Sequence, residues 1–248
     1  MIIFDFDGVL INSMNEVAVT SYNTVTDNLC ERLEEVPEAY ITLFRNNRPL
    51  ALRAGDLVVL GKLIVERYLD SPNAFIPPAE YEQFSRTQSP LTLEESFFST
   101  RKKLTEKNEN AWLALNTTYQ PLWGALQKKD PERVVILTYK NREAVLKLCH
   151  FHNLPVLSEN IYSGDGGATK RGNFSKIEER FQRPKYFFID DAFHNLQALR
   201  QALGEKSNLT LLLAAWGYTS PEQLELAKEE GLEVFSQEEF IPFLSANF

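Results

Sequence analysis

Met1-Ile2-Ile3-Phe4-Asp5-Phe6-Asp7-Gly8-Val9-Leu10 carries the decisive pattern of this sequence. Ile2 to Phe6 is short, apolar and rich in β-formers, and Asp7-Gly8 is a turn signal. The stretch therefore predicts a buried strand that stops at acids. Two carboxylates in an otherwise apolar strand are costly unless something pairs with them. Asp5 and Asp7 are thus the first candidate functional residues.

The last third of the chain repeats a strand-then-helix rhythm. Val134 to Leu137, Tyr186 to Ile189 and Leu209 to Leu213 are further apolar runs, and a weaker strand is expected near Asn160 to Tyr162. Asn141 is a plausible N-cap for a helix over Arg142 to His152. A second helix is expected from Asn195 to Leu203, stopping at Gly204. Apolar runs with little alternation suggest strands buried on both faces, as in a parallel sheet covered by helices. The middle of the chain differs. Val17 to Leu33, Pro37 to Phe44, Asp56 to Leu69 and Leu93 to Leu115 read as helices. Ser71 to Pro90 contains four prolines and reads as loop or short helical pieces.

In open α/β sheets, ligands bind beyond the carboxyl ends of the strands, near a topological switch point. Asp5 and Asp7 follow the first run, Thr138 the second, and Asp190-Asp191 the run at Tyr186. Between the last two lie Ser163-Gly164-Asp165-Gly166-Gly167 and then Lys170. Carboxylates converging on one point repel unless a cation is present, and Mg²⁺ prefers such oxygen donors together with a substrate phosphate. One carboxylate can attack phosphorus and a second can protonate the leaving group. A lysine and a threonine can offset charge on the phosphoryl oxygens.

This ordered set resembles the haloacid dehalogenase-like (HAD) hydrolases and is similar to their phosphoglycolate-phosphatase-like branch. Asp5-Phe6-Asp7-Gly8-Val9-Leu10 resembles their motif I, and Leu137-Thr138 resembles motif II. Lys170 matches the motif III lysine, with Phe174 and Ile177 at helical spacing behind it, and Phe188-Ile189-Asp190-Asp191 resembles motif IV. The resemblance implies an α/β fold: a Rossmann-like parallel-sheet core of residues 1–14 and 121–248, interrupted by an all-helical cap of residues 15–120. It implies an Mg²⁺-dependent phosphatase acting on a small phosphorylated metabolite. Asp5 would be the nucleophile and Asp7 the general acid, then base. Mg²⁺ would be held by Asp5, the Asp7 carbonyl, Asp191 and Asp190. Thr138, Lys170 and Gly8 would contact the phosphoryl group, and Arg171 and Lys176 stand as alternative cations. Among the cap arginines Arg45, Arg48 and Arg53, Arg53 is a candidate for the anionic tail of a substrate. Many relatives carry an acid at the positions of Asn12 and Asn195. The rival readings are a phosphosugar mutase using the same acids, and a non-catalytic HAD-like binding module.

Composition narrows the partners. Hydrophobic residues make up 44% and charged residues 24%, so a folded globular chain is expected rather than a disordered one. The formal net charge of -8 disfavours a broad nucleic-acid surface. No 18-residue apolar run exists, so no membrane span is expected, and the N-terminal segment does not have the pattern of a signal peptide. Cys30 and Cys149 cannot build a disulfide framework, and a cytoplasmic setting fits them best. His150, His152 and His194 show no metal-ligand spacing. Trp216-Gly217-Tyr218 resembles a sequence of phosphoglycolate-phosphatase-like relatives, and reads equally as packing plus a turn. A monomer and a homodimer are both compatible with the sequence.

Overall fold

The computed structural model describes residues 1–204 and 208–248. The chain separates into two compact units, one of residues 1–12 and 118–248 and one of residues 13–117. Its strands are β1 (Ile2–Phe4), β2 (Ile11–Asn12), β3 (Thr117–Thr118), β4 (Val135–Leu137), β5 (Ile161–Tyr162), β6 (Tyr186–Asp190), β7 (Leu209–Ala214) and β8 (Glu233–Phe235). Six of them form one sheet in the order β5-β4-β1-β6-β7-β8, and every pairing in it is parallel. The parallel sheet expected from the unalternating runs is therefore present. The edge strand β8, with exposed Glu233 and two half-buried neighbours, has too little apolar character to stand out in the sequence.

The helical unit contains α1 (Met14–Thr26), α2 (Glu38–Asn47), α3 (Ala54–Arg67), α4 (Pro78–Ser85), α5 (Pro90–Lys107) and α6 (Glu109–Ala114). The helix expected to run to Leu33 ends at Thr26, because Asp27 turns into the left-handed region at φ 54°. The helix expected over Leu93 to Leu115 is two helices. Asn108 breaks it, and its side chain accepts the Ala111 N–H to cap α6. Helix α3 is apolar nearly all round and forms the centre of this unit. Gly61 is needed there, since a Cβ would fall 2.3 Å from Ser21 Oγ. Glu16 is fully buried but satisfied. It takes a two-pronged ion pair from Arg101 and hydrogen bonds from Trp112 and Thr20.

In the sheet unit the helices are α7 (Gln120–Leu126), α8 (Arg142–Phe151), α9 (Lys170–Phe181), α10 (Phe193–Leu203), α11 (Pro221–Glu229) and α12 (Gln237–Asn247). Asn141 caps α8 through the Ala144 N–H at 2.8 Å, and Gly204 ends α10 at φ 70°. Alternate residues of β1 serve opposite faces. Ile3 joins Phe174, Ile177, Phe188 and Leu196 in one layer, while Phe4 meets Phe240 of α12 edge-on at 6.4 Å. The chain leaves β1 toward β4 and β5 on one side, then crosses to β6 and β7 on the other. The switch point of the sheet thus lies between β1 and β6. The described residues contain no helix long and apolar enough to cross a membrane.

Candidate active site

Asp5 leaves the carboxyl end of β1 at this switch point, and its N–H still donates to Ile189 of β6 at 2.8 Å. A tight loop follows. Gly8 adopts φ 82°, its N–H donates to Ile11, and the N–H groups of Leu10 and Ile11 both donate to Phe6. Phe6 is fully buried and anchors this loop. The alternation acid–aromatic–acid is explained by this geometry, with the ring inward and the two acids toward the strand ends.

Lys170 begins α9, whose N-cap is Thr169. Its ammonium is buried 3.0 Å from Asp5 Oδ1 and also binds Asp190 Oδ2. The rings of Tyr139 and Phe188 each lie 5.1 Å from that ammonium. Arg171 is exposed, and Lys176 reaches Asn173 instead. Thr138 is buried at the end of β4, and its hydroxyl accepts the Lys140 N–H at 3.2 Å. The structure thus brings Asp5, Lys170, Asp190 and Asp191 together, with Gly8 against Asp191. Asp7 lies on the same loop and is ion-paired to a residue the sequence reading did not single out, Lys140. Arg53 belongs to the helical unit, where its N–H donates to Asp56 at the start of α3.

The electrostatics are unbalanced. Burial pushes the Asp5 carboxyl well above the usual carboxylate range; Lys170 opposes this, while Asp190 and Asp191 push it further up. Burial works against the charge on Lys170, but Asp190 and Asp5 outweigh it and hold that ammonium above its ordinary value. Two ammonium groups, Lys170 and Lys140, face the four carboxylates Asp5, Asp7, Asp190 and Asp191. A cluster of carboxylates at the end of a sheet is a setting that a divalent cation can occupy. The donor set fits as well: Asp5, Asp190 and Asp191 each offer a buried carboxylate oxygen, all within 4.8 Å of one another. Such hard oxygen donors suit Mg²⁺.

Further residues shape the site. Tyr218 donates its N–H to Asp191 Oδ2 at 2.7 Å, the Thr219 hydroxyl donates to the Asp191 carbonyl, and Trp216 Nε1 donates to Val9 O at 3.1 Å. The Trp216-Gly217-Tyr218 segment therefore grips Asp191 and the first loop, as well as making a turn. Gly217 is required by that grip, since a Cβ there would lie 2.2 Å from the Asp191 Cβ. Gly217→Ala should displace the Asp191 carboxylate and weaken divalent-cation binding by about 10–100-fold. Calorimetric Mg²⁺ titration measures this, and an unchanged affinity would show that the contact does not set the Asp191 position. Tyr119 is half-buried, and its hydroxyl is pushed up by that burial and by the charges of Asp191 and Asp7.

No protein-family model matches the chain, and no curated protein does. Solved structures do. A protein described as a predicted phosphoglycolate phosphatase from Haemophilus somnus aligns at TM-score 0.58 and 15% identity, over 100% of this chain and 97% of that one. A haloacid dehalogenase-like protein from Agrobacterium tumefaciens aligns at TM-score 0.58 and 16% identity, over 99% and 96%. A HAD family hydrolase from Deinococcus radiodurans, with bound phosphate and sodium, aligns at TM-score 0.52 and 19% identity, over 96% and 92%. These likenesses span nearly the full length of each chain and show a shared fold.

Proposed function

From the haloacid dehalogenase-like fold of this chain and the acids at its switch point, we propose that it is an Mg²⁺-dependent phosphatase of small phosphorylated metabolites. One observation carries this reading. Asp5, half of an acid pair two residues apart, sits against a buried lysine and beside a further acid pair from β6. A binding module has no need to bury a nucleophile, a lysine and a carboxylate cluster at such electrostatic cost. The Deinococcus neighbour with phosphate and sodium bound is consistent with this reading.

In the proposed reaction, an Asp5 oxygen attacks phosphorus in line with the ester bond. That bond breaks, its electron pair stays on the leaving oxygen, and Asp7 supplies the proton. The phosphoryl group is then on Asp5. Water attacks the same phosphorus, Asp7 takes the proton, and inorganic phosphate leaves with Asp5 restored. Lys170 and the Thr138 hydroxyl offset charge on the phosphoryl oxygens, and Gly8 leaves room for their approach. Asp5, Asp190, Asp191 and the Asp7 carbonyl would hold Mg²⁺, which when bound neutralises the acids and polarises the phosphoryl group. We assign the catalytic role to the sheet unit and the role of a substrate-selecting cap to the helical unit. Arg53 is proposed to meet a second anionic group of the substrate.

The test is phosphate release from p-nitrophenyl phosphate. Turnover should need Mg²⁺, stop with EDTA, and return with excess Mg²⁺. Turnover unaffected by EDTA would remove the metal from the reading. No phosphate release from any small ester would remove the hydrolase, and an isomerised sugar phosphate would point to the mutase. The same assay on esters with and without a second anion tests Arg53, whose replacement by Ala should raise KM only for the former.

A further inference from the structure

We propose that Lys140 is the positioning residue for Asp7, holding that carboxyl where the proton is exchanged with the leaving oxygen. The inference rests on the phosphatase reading and adds a residue to it. Lys140 Nζ lies 3.0 Å from Asp7 Oδ1 and 3.3 Å from Oδ2, so one ammonium engages both oxygens. The Lys140 side chain is only 6% exposed, whereas that of Asp7 is 30% exposed. The buried partner therefore restrains the more open one.

The Lys140 backbone is itself held on both sides. Thr138 donates its N–H to Tyr162 at 3.0 Å and accepts the Lys140 N–H on its hydroxyl. Asn141 caps α8, so the residue after Lys140 is fixed by the helix. Gly164 packs so closely on Tyr139 that a Cβ would fall 2.5 Å from its carbonyl oxygen. Residues 138–141 thus form a rigid turn from which the lysine reaches the loop after β1.

The two ammonium groups divide the site. Lys170 binds Asp5 and Asp190, and Lys140 binds Asp7. A carboxyl on two side-chain torsions has several places to go. Misplacement by about 1 Å costs on the order of 10²-fold in a reaction that depends on alignment.

The proposal makes a selective prediction. An alkyl leaving oxygen needs its proton, while p-nitrophenolate leaves with little help. Lys140→Met should lower kcat/KM about 10²-fold for glycerol 2-phosphate and less than about 5-fold for p-nitrophenyl phosphate. The ratio kcat/KM reports the steps through loss of the leaving group, so the later attack by water does not blur the comparison. Lys140→Arg should recover most of the loss, because it keeps a cation on Asp7. Equal losses on both substrates, or no loss on either, would overturn the proposal.

A crystal structure of Lys140→Met gives a readout that needs no activity. The Asp7 carboxyl should leave its place, and an unmoved carboxyl would overturn the positioning role. An inert wild-type protein would count against the phosphatase reading alone, since the position of Asp7 is still read in the crystal.

Discussion

Asp5→Asn should abolish phosphate release, with kcat falling by on the order of 10⁴-fold or more, or about 5 kcal/mol of barrier. The amide keeps the shape of the side chain but cannot form the acyl-phosphate bond. The same variant should remain folded, for a reason visible in the site. Asp5 is 6% exposed, and burial together with Asp190 and Asp191 pushes its carboxyl up despite Lys170. A carboxyl whose pKa is higher in the folded chain binds more protons there than in the unfolded chain. Its ionisation therefore costs stability as pH rises from the unfolded value of 3.8 through the raised folded value. Without divalent metal at neutral pH, Asp5→Asn should unfold at a higher temperature than the wild type. The difference should shrink as pH falls toward the ordinary carboxylate range. Calorimetry in EDTA across pH 4–8 measures it. A lower unfolding temperature at neutral pH would mean that the Lys170 pair outweighs the burial cost. Residual turnover near the wild-type rate would sink the nucleophile assignment.

The second large effect concerns Lys170. Its ammonium joins Asp5 to Asp190, and both acids are buried. Lys170→Met removes the ammonium that joins those two carboxylates, beside Asp191. Removing one partner of a buried ion pair costs about 3–5 kcal/mol, because the other charge is stranded. For a chain of this size that lowers the unfolding temperature by roughly 6–20 °C in metal-free buffer. Saturating Mg²⁺ should restore part of the loss, since a bound cation stabilises the folded state by mass action. Lys170→Met/Asp190→Asn should recover stability but not turnover. Full stability in the single variant would show that the pair contributes nothing to the fold. Wild-type turnover would remove Lys170 from phosphoryl binding.

Much of the fold was legible because buried parallel strands leave a strong mark. The runs at Ile2, Val134, Tyr186 and Leu209 became β1, β4, β6 and β7, each within a residue or two. Boundaries moved where a local conformation overrode the hydrophobic pattern, as at Asp27 in the left-handed region and at the Asn108 cap. Edge strand β8 and the helix α12 were missed. The first is barely apolar, and the second carries Pro242 in its interior, which masks a helical reading. In the site, the acids after β1 and β6 could be read as acids that strand ends rarely carry. Lys140 and Tyr119 carried no comparable sign, and Trp216-Gly217-Tyr218 stood out only by a resemblance that packing plus a turn explained equally well. Lysines, tyrosines and turn glycines are ordinary in loops, and only their partners make them notable.

The local pattern of the chain marked five of the six sheet strands and the carboxylates at the sheet's carboxyl edge. Both follow from local periodicity and from the cost of placing an acid beside an apolar run. Packing in three dimensions settled the pairing of charges. It put Lys170 on Asp5 and Asp190, Lys140 on Asp7, and the backbone of Tyr218 on Asp191. Those partners lie 20 to 165 residues apart in the chain. Coulomb energy depends on distance in space and on burial, and neither is encoded in a local window of sequence.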